Sequence, residues 1–151
     1  MSKTEEKNIT SNRKAFHEYF ITQKIEAGIS LLGTEVKALR TGKANLVDAY
    51  ATINKGEVWL VNAHIGFYDH GNINNHEPLR KRKLLLKKSE IKKLTVKLNQ
   101  KGFTLIPLRL YFSNGKVKVE LGLAHGKKEY DKRDAIAKRD AQRDLDRRVK
   151  L

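Results

Sequence analysis

The sequence predicts a mainly β, antiparallel domain with short flanking helices and a basic C-terminal tail. Three observations carry that expectation. Residues 108–112 (LRLYF) and 117–121 (VKVEL) alternate around Ser113-Asn114-Gly115-Lys116, and Asn-Gly is the favoured centre of a type I′ hairpin turn. Residues 50–53 and 58–65 flank Asn54-Lys55-Gly56-Glu57, where Gly56 can supply the positive φ of a second hairpin. After Gly126 the apolar content falls away, and residues 131–151 hold eight Lys or Arg against five Asp with no Gly or Pro.

The other elements follow in order. Residues 2–11 are polar and of mixed charge, with little to offset the entropy of ordering, so residues 1–11 are expected to be a flexible lead and the fold to begin near Asn12. Tyr19, Ile21 and Ile25 among polar neighbours predict a strand ending at Ala27-Gly28. Gly33-Thr34 offers a loop and an N-cap hydroxyl for a helix to about Thr41, capped by Gly42, which buries Val36 and Leu39 and shows Lys37, Arg40 and, beyond its end, Lys43. Residues 66–78, rich in Gly, Asn and His, read as a surface loop. Ser89 precedes a helical stripe of Ile91, Leu94 and Leu98, with Lys92, Lys93 and Lys97 off it. Pro107 cannot donate to a ladder and marks an edge or bulge.

In the tail, Asp134 and Lys138, Asp144 and Arg148, and Asp146 and Lys150 are i, i+4 pairs that favour helix. Ala141, Leu145 and Val149 give only a thin apolar stripe. The expected tail, residues 131–151, is therefore disordered alone and helical on a partner.

Length, charge and cysteine content limit the function. A chain of 151 residues can bury one sizeable core. Its 32 Lys plus Arg against 17 Asp plus Glu give a net charge of +15, a field that attracts polyanions, nucleic acid first. With zero Cys there is no disulfide framework or thiolate metal site, and a reducing cytoplasm is expected. Residues 1–10 contain no apolar run of the signal-peptide kind, and no stretch approaches the roughly 20 apolar residues of a membrane-spanning helix.

Residues 80–101 place ten basic residues against one acid, Glu90, too one-sided for an ordinary solvated face, and predict phosphate binding. Phe and Trp are not clustered beside that run, which argues against an anionic membrane as its partner. His64, His70 and His76, with Asp69 and Glu77 nearby, could form a metal or acid–base site, but their spacing fits neither HExxH nor a zinc finger. Histidines that hydrogen-bond or stack are the expectation. His17 and His125 are isolated and read as structural. GxSxG, GxxxxGK[ST] and GxGxxG are missing, which removes the usual hydrolase, P-loop and dinucleotide readings. Glu26 and Glu35 are acids in a basic third, each either an ion-pair partner or an acceptor for base and 2′-hydroxyl protons. Gly126-Lys127-Lys128 and Tyr130-Asp131-Lys132-Arg133 form a basic junction that can clamp RNA.

Several separated blocks then stand in a recognisable order: Asn12-Arg13-Lys14-Ala15, His17-Glu18-Tyr19, Glu26-Ala27-Gly28-Ile29, GTEVKALR from Gly33 to Arg40, RKLLL from Arg82, and GKKEYDKR from Gly126. From about Asn12 to the C-terminus the chain resembles the small protein B family, also called SsrA-binding protein. The resemblance implies an oligonucleotide-binding-type antiparallel β-barrel with flanking helices, here residues 12–130. It also implies a cofactor-free, non-catalytic adaptor of trans-translation that binds the tRNA-like domain of transfer-messenger RNA and delivers it to stalled ribosomes. By motif position it places RNA binding at Asn12, Glu26 and Leu85; the charge pattern adds Lys37, Arg40, Lys43, Arg80, Arg82, Lys83, Lys127 and Lys128. It makes the tail, with Tyr130, Asp131, Lys132, Arg133, Arg139, Arg143, Arg147 and Lys150, the part that enters the small subunit's decoding region and empty mRNA channel. The protein is expected to be a monomer on the RNA. Some relatives carry an apolar pair where this chain has Arg148-Val149, and others extend beyond the position of Leu151. An RNA-processing enzyme built on the histidine loop and a general tRNA- or ribosome-binding factor are the alternatives.

Overall fold

The computed structural model describes residues 6–69 and 75–126. Among the described residues nine strands and three helices follow one another: β1 (Glu6–Ser11), α1 (Arg13–Glu18), β2 (Tyr19–Ile29), α2 (Gly33–Arg40), β3 (Ala44–Asn45), β4 (Tyr50–Asn54), β5 (Glu57–Val61), β6 (His64–Ile65), β7 (Arg82–Leu85), α3 (Lys88–Leu98), β8 (Phe103–Ser113) and β9 (Lys116–Gly126). The antiparallel sheet runs β1-β8-β4-β5-β7-β2-β9, and a further β8–β9 pairing closes β8 through β9 into a ring with β1 outside it. A barrel removes the free edges that an open sheet would expose. β3 and β6 form a separate two-stranded ribbon.

Both hairpins form as their turns predict. Asn114 and Gly115 have φ of 52° and 78°, and Lys55 and Gly56 have 53° and 76°, as a type I′ turn requires at both central residues. β8 begins sooner, and the strand after Gly56 ends sooner, than the pattern implies. β8 begins at Phe103, so Pro107 lies inside it. The expected stretch 58–65 breaks after Val61, because Asn62 takes φ 61° and the chain turns before β6.

Pro107 does sit at a bulge. The β8–β9 register shifts between Pro107 and Arg109, and the β2–β9 register shifts between Ile21 and Gln23. A bulge adds one residue to a strand whose side chains alternate, so the apolar positions change face across it. Leu105 and Leu110 of β8 and Ile25 of β2 therefore pack in the main core with Val58, Leu60, Val119 and Leu121. Ile106, Leu108 and Ile21 instead join Ala124 in a smaller outer core beneath Ala15 of α1. Gly122 makes room for that second core: a methyl there would lie 3.0 Å from Leu108 Cδ1. One long hairpin thus serves two cores.

The polar lead is in part a strand. β1 pairs with β8 from Glu6 opposite Ser113 to Ser11 opposite Arg109, drawing its order from the backbone edge of β8 and the half-buried Ile9. The helix α1 after it was not predicted. Its cap is Asn12, whose Oδ1 accepts from Ala15 N–H at 3.3 Å. Thr34 and Ser89 are not caps either. α2 starts from Leu32, whose N–H donates to Glu35 Oε1 at 2.8 Å, and α3 from Lys87, whose N–H donates to Glu90 Oε1 at 3.2 Å. α2 buries Ala38 and Leu39, leaving Val36 half-buried; α3 buries Leu94, with Ile91 and Leu98 against the main core. Residues 66–78 are not surface throughout. Asn75 bonds the Tyr68 backbone in both directions, at 3.1 and 2.7 Å, and His76 is buried. The tail lies outside the described residues.

Candidate nucleic-acid interface

The basic run at residues 80–85 is sorted by strand alternation. Val58 and Leu60 face the core, so their β7 partners Leu84 and Arg82 face inward, while Trp59 and Lys83, also partners, face out. Arg82 has no exposed side-chain surface. Its Nε donates to Glu35 Oε2, its Nη1 to the Ala63 carbonyl at 2.7 Å and its Nη2 to the Pro78 carbonyl at 3.2 Å. Arg80, partly exposed, donates from Nη2 to Glu35 Oε1 at 2.6 Å. The expectation that Arg82 binds RNA is therefore corrected: its guanidinium is spent inside the protein. Of the readings open for Glu35, the ion pair is the one realised. Burial pushes the Glu35 carboxyl up, but hydrogen bonds from Arg80, the Leu32 N–H and Arg82 outweigh it and hold it below its ordinary value. The cluster locks α2 to the strand that follows the histidine loop.

Asn12 also differs from expectation as a contact residue. It is 3% exposed, and its amide donates to the Leu46 carbonyl at 3.2 Å and the Pro107 carbonyl at 3.1 Å. Its side chain ties α1, the loop after β3 and β8 together.

Outward residues of β2, β7 and β5 meet on one sheet face. Gly28 lies opposite Leu85, and a methyl on Gly28 would stand 3.2 Å from Leu85 Cβ, so the leucine lies flat over the glycine. Leu85 is 53% exposed, unusual for a leucine in mid-sheet. Beside it Lys83 donates to Glu57 at 3.2 Å, with both side chains over 40% exposed, a pair weak enough to open for a phosphate. Glu26, exposed, lies two residues before Gly28 on the same side of β2. Burial and the hydrogen bond to Glu26 raise the Tyr111 hydroxyl well above the ordinary phenol range, so it stays protonated and donates to that carboxylate. Arg109 covers the Tyr111 ring at 4.0 Å and pairs with Glu120 at 3.3 Å and Glu6 at 3.1 Å. Glu26 is thereby presented from a rigid support. Trp59 completes the face, and only the β5–β7 register reveals that it stands beside Lys83.

A second exposed group lies on and after α2. Lys37 and Arg40 are exposed, with Lys37 Nζ 5.3 Å from the Tyr68 ring centre. Lys43 is half-buried and bonds Asp69 at 2.7 Å, so it is less available than expected. His64 and His76 do not form a metal or acid–base cluster. His64 is exposed on β6, whereas His76 bonds Thr34 Oγ1 at 2.9 Å and the Ile65 carbonyl at 2.8 Å. Among the described residues no group of His, Asp and Glu could hold a metal ion. His70, Lys127, Lys128, Tyr130, Asp131, Lys132, Arg133, Arg139, Arg143, Arg147 and Lys150 lie outside the described residues. Among those described, no helix is long and apolar enough to cross a membrane.

Comparison with known proteins gives this surface a context. An SsrA-binding protein of Acetivibrio thermocellus is 59% identical over 150 residues, covering 99% of this chain and 97% of its own. One from Clostridium novyi is 59% identical over 152 residues, covering 99% and 97%. A solved chain from a structure described as "tmRNA-SmpB: a journey to the center of the bacterial ribosome" superposes with TM-score 0.67 at 50% identity, covering 78% of this chain and 83% of that one. The family model described as SmpB protein matches residues 9–151, and the chain belongs to that family.

Proposed function

We infer that this chain is the RNA-binding adaptor of trans-translation, acting in the bacterial cytoplasm. The barrel binds the tRNA-like domain of transfer-messenger RNA as a monomer and brings it to stalled ribosomes, and residues 131–151 probe the empty decoding region and mRNA channel. Nascent chains are then tagged and ribosomes released. No covalent step is asked of any residue. The observation that carries the reading is the convergence of Glu26, Leu85 and Lys83 on one sheet face of a chain belonging to the SmpB family.

The face has the parts such binding needs. Lys83 neutralises phosphate without reading sequence, Glu26 accepts hydroxyl or base protons, and Leu85 and Trp59 offer apolar surface to unstacked bases. The tail's cations Arg139, Arg143, Arg147 and Lys150 suit a channel walled by RNA, and ordering on binding makes engagement depend on that channel being vacant. A binding and tagging assay tests both halves. The full chain should shift the tRNA-like RNA without cleaving it, and transfer-messenger RNA should outcompete bulk tRNA. A chain ending at Asp134 should keep most RNA affinity and lose tagging. Ala137→Pro with Ala141→Pro, which keeps every charge while opposing helix by roughly 3 kcal/mol per proline, should also lose tagging. RNA cleavage, or equal competition by bulk tRNA, would overturn the adaptor reading.

A further inference from the structure

The inward side of β9 leads out of the barrel to an aromatic row. Leu121, Leu123 and His125 alternate on one side of β9, and their β2 partners are Ile25, Gln23 and Phe20. On the other flank His125 is paired with Phe103 of β8, their ring centres 3.7 Å apart. Phe20, His125 and Phe103 therefore stand side by side across three strands at the barrel mouth. Phe20 is 41% exposed, and His125 and Phe103 are half-buried.

The row continues into a groove of about 500 Å³ between β2 and α3, where Gln23 and Ile25 face Leu94, Val96, Lys93 and Lys97. Val96 is 63% exposed, so the groove has an apolar floor open to solvent. Beside Lys93 and Lys97, Glu90 is the one acid on the lining. These lysines belong to the basic run at 80–101 but not to the sheet face of Lys83 and Leu85; the fold has divided that run between two surfaces.

We propose that this mouth is a second nucleic-acid site, which takes a short unpaired RNA strand with bases against Phe20, His125 and Phe103 and phosphates against Lys93 and Lys97. Aromatic rings set across adjacent strands beside a cationic groove are the recurring means of holding single strands without sequence preference. A stacked duplex keeps its base faces to itself and cannot use them. The cations favour a polyanion over an apolar peptide.

The test uses the full chain, a fluorescein-labelled unstructured uridine decamer and fluorescence anisotropy, with and without saturating unlabelled tRNA-like RNA. The decamer should bind in both conditions. Phe20→Leu with Phe103→Leu should weaken decamer binding at least about 5-fold, the effect of losing one base stack, and leave tRNA-like RNA affinity unchanged, which also reports that the variant is folded. Lys93→Gln with Lys97→Gln, on the exposed side of α3, should weaken it and lower its salt dependence. Full displacement by the tRNA-like RNA, indifference to the leucine pair, or equal displacement by polyglutamate would overturn the proposal. Failure of the unsubstituted chain to bind the tRNA-like RNA, with the decamer still bound, would instead count against the sheet-face reading alone.

Discussion

Arg82 and Lys83 are neighbours in one four-residue strand and carry the same charge, yet one is sealed in the barrel and the other stands in solvent. Arg82 meets a buried carboxylate and two carbonyls, which a planar guanidinium can serve together. Lys83 meets a half-exposed glutamate that it can release. The difference teaches that a basic run is not one binding unit: strand alternation assigns each successive cation to architecture or to partner. Substitutions on the two sides should therefore separate stability from affinity.

The largest effect is expected inside. Arg82→Ala leaves Glu35 charged with half its support, and breaking a buried pair of this kind costs about 3–5 kcal/mol, read as a fall in the urea midpoint. An unchanged midpoint would mean that Arg82 is not structural. Acid should attack the same cluster. Glu35 titrates below the ordinary carboxylate value of 4.5 in the folded chain, so the unfolded chain takes up the proton first as pH falls. The contribution is complete above about pH 4.5 and is lost as pH descends through the lower folded value. Urea titrations from pH 7 to pH 3 should show a steeper acid loss for the wild type than for Glu35→Gln.

Asn12→Ala comes next. It removes a helix cap and two bonds to buried carbonyls, and about 2 kcal/mol of stability should go with them. Affinity measured per folded molecule should hold; a drop there would show that Asn12 also touches RNA. The smallest stability change belongs to Lys83→Ala, within about 0.5 kcal/mol of wild type. Its signature is a weaker complex whose log affinity falls with log salt less steeply by about 0.7–0.9, as one phosphate contact is lost.

Much of this division was hidden in the sequence for identifiable reasons. Asn114-Gly115 and Lys55-Gly56 announce their hairpins because the backbone sign they need is local. The barrel and the RNA role were legible through separated blocks of family resemblance. The inward phase of Arg82 was not, since Arg80-Lys81-Arg82-Lys83 offers no apolar marker and the phase is fixed by Val58 and Leu60 across the sheet. β1 was missed because Glu6–Ser11 borrows its order from a strand about a hundred residues away. The two bulges leave no composition trace apart from Pro107, so neither the second core nor the aromatic row at the mouth could be read beforehand. Trp59 carries no mark of the site in the sequence, because its neighbour Lys83 is brought beside it only by the β5–β7 pairing.

The attachment of β1 and β2 to the β8–β9 hairpin has a consequence for how the molecule is made. Arg109 reaches Glu6 across 103 positions, Asn12 holds Pro107 across 95, and Thr22 bonds the Leu123 carbonyl across 101. Pairings so distant along the chain are slow to form and cannot begin until the later partner exists. During synthesis the first two strands must wait, edges unpaired, until the final hairpin emerges. A copy cut short before residue 103, as from a broken message, never closes its barrel and keeps those edges open to association and proteolysis. The folded state is itself a report that the message was read past the β8–β9 hairpin.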